Sequence, residues 1–169
     1  MKTEMIEITE TNEPPKKNLK LKISLIVAGL LLLAGVGTCI GLKMNSTKIE
    51  NFTVAGNSMS PTLEDGATIK VNTADKDVDR FDVVLLNFND TKYVKRIVGL
   101  PNEKVEYIDN VLYINGEKVD DPYNNGTTSD FSIELGDNDI YVLGDNRSYS
   151  KDSRKLGRFK LGYIIGTVE

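Results

Sequence analysis

The sequence predicts a mainly β protein: a single N-terminal transmembrane helix followed by a compact antiparallel β-sandwich or barrel. Three observations carry this reading. One long uncharged apolar run stands near the N-terminus. Short alternating or apolar runs recur throughout the rest of the chain. Gly, Asn and Asp punctuate those runs at short intervals, and no long segment after Leu42 has helical periodicity.

The apolar run is Ile23–Leu42, ISLIVAGLLLLAGVGTCIGL, 20 residues without a charge. As a helix it spans about 30 Å, the depth of a bilayer core. A cleaved leader has a shorter apolar stretch followed by small residues. Here the run is long and Lys43, Met44 and Asn45 follow, which favours an uncleaved anchor. Lys16, Lys17, Lys20 and Lys22 precede it, while only Lys43 and Lys48 follow closely. The positive-inside tendency then places the N-terminus in the cytoplasm and the rest outside. Residues 1–22 read as a disordered cytoplasmic tail, polar and carrying Pro14-Pro15. The expected division is therefore tail 1–22, membrane helix 23–42 and extracytoplasmic β domain 43–169.

The β elements follow in order. Phe52–Ala55 is a short strand, and Ala67–Asn72 is another with Ile69 and Val71 on one face. Asp82–Phe88 holds the buried-type run Val83-Val84-Leu85-Leu86, and Lys92–Val98 follows. Val105–Ile108 and Val111–Ile114 flank Asp109-Asn110, a two-residue hairpin signal. Asn115-Gly116 marks the next tight turn, into Lys118-Val119. Ile140–Leu143 and Tyr163–Val168 complete the set. The stretch Asp120–Asn138, rich in Asp, Asn, Gly, Thr and Ser, reads as a long surface loop.

Composition excludes several chemistries. The chain has 169 residues and a net charge of −4, so nothing in bulk charge favours nucleic acid. It has no histidine, which excludes a Ser-His-Asp triad and any His-ligated metal. Its one cysteine, Cys39, lies inside the apolar run, so no internal disulfide or Cys-based zinc site is available. No metal or other cofactor is expected.

Three islands carry polar chemistry. The first is Gly56-Asn57-Ser58-Met59-Ser60-Pro61-Thr62-Leu63. A serine at a strand end is inert until a base takes its proton, and here the base must be Lys, Asp, Glu or a terminal amine. Alone, the island reads equally as a Ser/Pro turn. The second is Tyr93-Val94-Lys95-Arg96-Ile97-Val98-Gly99-Leu100-Pro101. Strand alternation puts Lys95 on one face with Tyr93 and Ile97, where burial would lower its pKa and let it accept a proton. A snorkelling lysine is the plainer alternative. The third, Gly144-Asp145-Asn146-Arg147-Ser148-Tyr149-Ser150-Lys151-Asp152-Ser153-Arg154, offers charge-assisted pairs among Asp145, Arg147, Asp152 and Arg154, or simply a charged surface turn.

Together, in this order behind one anchor, the islands resemble bacterial type I signal peptidases, membrane serine proteases with a Ser-Lys dyad. Ser58–Leu63 fits the nucleophile box Ser-Met-x-Pro-Thr-Leu, and Tyr93–Pro101 fits the lysine box, with Asn102 for its final glycine. Gly144–Arg154 meets the third box at each defined position. The pre-lysine box Gly-Asp-Val-Val stands as Phe81-Asp82-Val83-Val84, with Phe81 for the glycine.

The resemblance implies Ser58 as nucleophile and Lys95 as general base, with the Ser58 N–H in the oxyanion hole. Gly56 stands where some members carry a second, hydroxyl donor. Ser150 corresponds to the serine that hydrogen-bonds the lysine, and Asp152 and Arg154 to a supporting ion pair. Phe52, Val54, Met59, Leu63, Tyr93 and Val94 would line shallow pockets for small residues at −1 and −3 of a signal peptide. The implied partners are secretory preproteins and the lipid bilayer; the oligomeric state stays open. Alternatives are a non-catalytic relative serving pilus assembly, which would lack the serine or lysine, a pilin-dedicated signal peptidase, or a soluble self-cleaving Ser-Lys repressor with a DNA-binding segment.

Overall fold

The computed structural model describes residues 47–169; the expected tail, the membrane run 23–42 and the first residues of the expected outer domain lie outside them. The described residues are mainly β, with eleven strands. In chain order these are β1 (Ile49–Thr53), β2 (Thr68–Asn72), β3 (Val83–Phe88), β4 (Thr91–Gly99), β5 (Lys104–Ile108), β6 (Val111–Ile114), β7 (Glu117–Val119), β8 (Phe131–Glu134), β9 (Asp139–Leu143), β10 (Phe159–Lys160) and β11 (Ile164–Val168). A 3-10 turn at Arg147–Tyr149 and a one-turn helix α1 (Ser153–Leu156) separate β9 from β10. Among the described residues no helix is long and apolar enough to cross a membrane.

The strands form two antiparallel sheets: a seven-stranded sheet in the order β1-β2-β11-β3-β4-β9-β10, and a four-stranded sheet β7-β6-β5-β8. The central strands are buried on both faces, which explains their continuous apolar character. Period-two alternation divides them cleanly. Val84, Leu86, Ile97, Ile140 and Val142 face one cluster with Phe159 and Ile164. Leu85 turns the other way to join Val54, Ile69 and Val71. Val98, Tyr141 and Leu143 meet Val105, Tyr107, Leu112 and Ile114 of the smaller sheet, fusing the two sheets through one core.

Turn chemistry sets the registers. Asp109 and Asn110 both adopt positive φ, 49° and 64°, as a two-residue hairpin between β5 and β6 demands. Asn115 and Gly116 do the same before β7. The two departures from the motif pattern also fall on left-handed backbone: Asn102 at φ 64° and Phe81 at φ 73°. Asn tolerates that region, whereas Phe there carries strain of about 1–3 kcal/mol. The Phe81 ring offsets it by packing against the core of the smaller sheet and against Tyr123, at a centroid distance of 5.6 Å.

The long surface loop expected at Asp120–Asn138 is corrected. Its second half contains β8, which pairs with β5 from Tyr107↔Phe131 to Lys104↔Glu134. Its first half contributes the buried side chains of Asp121 and Thr128. The polar composition hid a strand of only four residues, alternately half-buried and exposed, whose partner is distant in sequence. The first strand also begins earlier than expected, at Ile49, and ends before Val54.

Candidate active site

β4 brings Lys95 to the turn that follows β1. In register Lys95 pairs with Val84 of β3, and Arg96 pairs with Leu143 of β9, so the lysine stands beside the segment that begins at Gly144. Lys95 Nζ lies 2.8 Å from Ser58 Oγ and donates to the Val94 carbonyl at 2.6 Å. The lysine is 4% exposed. Burial lowers its pKa from the usual 10.5 to about 8, against the opposing pull of the Asp152 and Asp145 carboxylates. A substantial neutral fraction therefore exists near pH 8, and a neutral amine can accept the Ser58 proton. The snorkelling geometry is absent: the amine points at a hydroxyl, inside the protein.

The nucleophile turn is held from three directions. The Gly56 N–H donates to Asp65 Oδ1 at 2.7 Å, with Gly56 at φ 91°. The Asn146 N–H donates to the Ser58 carbonyl at 3.1 Å, and Asn146 Nδ2 donates to the Asn57 carbonyl at 3.1 Å. Thr62 Oγ1 donates to Asp145 Oδ2 at 2.5 Å. The Ser58 N–H has no acceptor among the described residues. It is available to an oxyanion, whereas the Gly56 N–H is already engaged.

Of the four charged residues of the third island, Asp145 and Arg147 pair outside it, while Asp152 and Arg154 pair with each other. Arg96 makes a bidentate pair with Asp145, at 2.8 and 2.7 Å, and donates to the Phe81 carbonyl at 2.7 Å. Its guanidinium lies 3.5 Å from the centroid of the Tyr123 ring. Arg147, fully buried, donates to the Gly144 carbonyl at 3.0 Å, to Tyr107 Oη at 2.6 Å, to Thr128 Oγ1 at 3.2 Å and to Asp121 at 2.6 Å. The Tyr107 hydroxyl donates to Asp121 in turn. Tyr107, Asp121 and Thr128 carried no motif, and no local sequence signal points to their pairing with Arg147.

Asp152 and Arg154 do pair within the third island, through 2.9 and 2.8 Å contacts. Burial raises the Asp152 carboxyl, but Arg154 and the Gly144 N–H outweigh that and hold it below the usual carboxylate range. Ser150 is buried beside Asp152, yet its Oγ closes no well-formed hydrogen bond, either to that carboxylate or to Lys95. The expected Ser150–Lys95 bond is not formed here: the Lys95 amine contacts Ser58 and the Val94 carbonyl. Gly144 explains the tight assembly: a Cβ there would collide with the Ser58 carbonyl and with Ser150 Oγ, and would lie 2.6 Å from Ser150 Cβ.

A groove of about 510 Å³ runs past the dyad. Phe52, Val54, Met59, Tyr93 and Val94 line it, together with Leu85, which the sequence reading did not include. Leu63 does not; it packs against the core formed by Val54, Ile69, Val71 and Leu85. Among the described residues no cluster could hold a metal ion.

The profile described as signal peptidase, peptidase S26, matches residues 25–169. The chain belongs to the signal peptidase S26 family. Similar family members include signal peptidase I of Bacillus caldolyticus, 36% identical over 79% of this chain and 85% of that protein. Signal peptidase I S of Bacillus subtilis (strain 168) is 43% identical over 69% and 72%, respectively. Signal peptidase IB of Staphylococcus aureus (strain COL) is 34% identical over 90% and 88%. A solved signal peptidase I from Enterococcus faecalis V583 superposes with a TM-score of 0.51 at 32% identity, covering 55% of this chain and 97% of that one. For this signal peptidase family chain, the matched span includes all three islands and all the strands described above.

Proposed function

We propose that this chain is a membrane-anchored serine endopeptidase that removes signal peptides from secretory preproteins by Ser-Lys acyl-enzyme catalysis. The single observation that carries the residue assignment is the 2.8 Å approach of a buried, pKa-lowered lysine to a serine hydroxyl in a chain without histidine. Neutral Lys95 takes the proton of Ser58 Oγ as the oxygen attacks the scissile carbonyl. The Ser58 N–H stabilises the developing oxyanion. The lysine ammonium then protonates the leaving amine, which departs as the new N-terminus of the mature protein. Neutral again, Lys95 deprotonates the water that hydrolyses the acyl-enzyme. Asp152 with Arg154, and Asp145 with Arg96, hold the third segment against the dyad.

A preprotein strand lies along the groove, its alternate side chains entering shallow pockets walled by Phe52, Val54, Met59, Tyr93 and Val94. Met59 is 1% exposed and forms a closed floor, which supports a preference for small residues at −1 and −3. The run 23–42 supplies a membrane anchor with the lysine-rich flank in the cytoplasm. The relatives' names, all signal peptidases, do not favour the pilus-assembly alternative.

The test is incubation of the purified full chain with a panel of preproteins and mapping of each cut by mass. Cleavage after small −1 and −3 residues is expected. Intact preproteins throughout would overturn the assignment.

A further inference from the structure

The groove has two ends, and only one is accounted for by pockets for a signal peptide. On β4 the lining runs from Thr91 to Lys95, and on the other wall from Phe52 to Met59. In both walls the dyad stands toward the C-terminal end of the segment. Beyond it, where β4 meets β9 and the chain continues through Gly144, the lining passes to Tyr149 and Lys151. These two flank Ser150, the extended residue that ends the 3-10 turn; Ser150 is buried, whereas Tyr149 and Lys151 are exposed.

Tyr149 is 71% exposed, and neither its ring nor its hydroxyl has a partner among the described residues. Lys151 is exposed and forms no ion pair among them. Yet their backbone is not loose. Arg147 bonds the Gly144 carbonyl, the Tyr149 N–H donates to the Asn146 carbonyl at 3.0 Å, and Asp152 accepts from the Gly144 N–H at 3.0 Å. A rigid backbone thus presents an unpartnered aromatic ring and an unpartnered ammonium at the mouth of the groove. Although the chain is net acidic, no Asp or Glu among the described residues lines this groove, where Lys92, Lys95 and Lys151 are the basic side chains.

We propose that Tyr149 and Lys151 form the subsite for the first residues on the mature side of the cut, and that Lys151 makes it favour an acidic side chain there. This rests on the signal-peptide reading above, which places the signal side along Phe52, Val54, Tyr93 and Val94 and lets the mature side leave past Ser150. Tyr149 supplies a flat apolar surface for the extended chain, at low entropic cost because its backbone is already held. Lys151 supplies the charge that discriminates.

The experiment measures kcat/KM of the full chain in detergent on paired synthetic precursors, identical through the cleavage site and carrying Asp or Lys at the second mature residue. The wild type is expected to favour Asp on the order of two- to fivefold, the scale of an exposed ion pair. The ratio should collapse toward one at high salt and invert in Lys151→Glu. Tyr149→Ala should raise KM for both precursors, and Tyr149→Phe should restore it. An Asp/Lys ratio that is the same in wild type and Lys151→Glu overturns the subsite while leaving the protease intact. Failure of the wild type to cut either precursor after small residues overturns the signal-peptide reading and this subsite with it.

Discussion

The Asn146 N–H donates to the Ser58 carbonyl at 3.1 Å, joining the third motif to the main chain of the candidate nucleophile. Residues 88 positions apart are thereby fixed to within a hydrogen bond, and the N–H of Ser58 is left unengaged for a substrate oxyanion. This brace and the 2.8 Å contact of Ser58 Oγ with Lys95 Nζ both hold the turn that carries Ser58.

Replacing either reacting group should abolish turnover. Ser58→Ala and Lys95→Ala are each expected to lose preprotein cleavage by at least about 10²–10⁴-fold, the range contributed by a positioned base. Lys95→Arg should be as inactive, because a guanidinium stays charged at any working pH. Gel-based cleavage of a preprotein checks all three, and retained turnover in any of them removes the dyad.

The pH profile follows from the lowered pKa of Lys95. The proposed base is the neutral Lys95 amine, so kcat/KM should rise about tenfold per pH unit below a midpoint near 8 and level off above it. A profile flat from pH 6 to pH 9 would point to a different base.

The same burial has a cost in stability. Folded Lys95 has a lower pKa than an unfolded lysine, so the unfolded chain binds more protons and stability rises with pH between about 8 and 10.5. Below pH 8 the full penalty applies, on the order of 3 kcal/mol. Lys95→Met, which leaves Asp152 paired with Arg154 and Asp145 with Arg96, should therefore be more stable than wild type at pH 7, by an amount that shrinks toward pH 10. Urea unfolding at the two pH values measures it, and an unchanged difference contradicts the assignment of charge.

Gly144→Ala tests the close approach at the brace. Its added methyl must displace the Ser58 carbonyl or Ser150 Oγ. A shift of about 1 Å at a reacting group costs on the order of 10² in rate, so kcat should fall by that scale while the fold persists. Circular dichroism alongside single-turnover cleavage separates the two effects.

Asp121 tests the buried cluster behind the site. Asp121→Ala leaves Arg147 without a counter-charge, and removing one partner of a buried pair costs about 3–5 kcal/mol. Chemical denaturation should show that loss, with Asp121→Asn intermediate.

Much of this was legible in the chain itself. Period-two alternation and Asp109-Asn110 and Asn115-Gly116 turns specify β2 through β7 because side-chain direction and φ sign are local properties. The absence of histidine narrowed the base to a few residue types, again without any geometry. β8 escaped because its four residues are ordinary surface types whose strand state comes from pairing with β5. Leu63 was placed in the groove because its motif neighbours are there, whereas burial depth is a property of the packed turn.

By itself, then, the sequence determined the β class, the order of the motifs and the chemical types available to react. Tertiary structure alone decided which charges pair: Arg96 with Asp145, Arg147 with Asp121 and Tyr107, and Lys95 with no carboxylate among the described residues. The physical reason is that pairing and desolvation depend on distances between strands far apart in sequence. Those same distances bury one lysine beside a serine hydroxyl and lower its pKa to about 8.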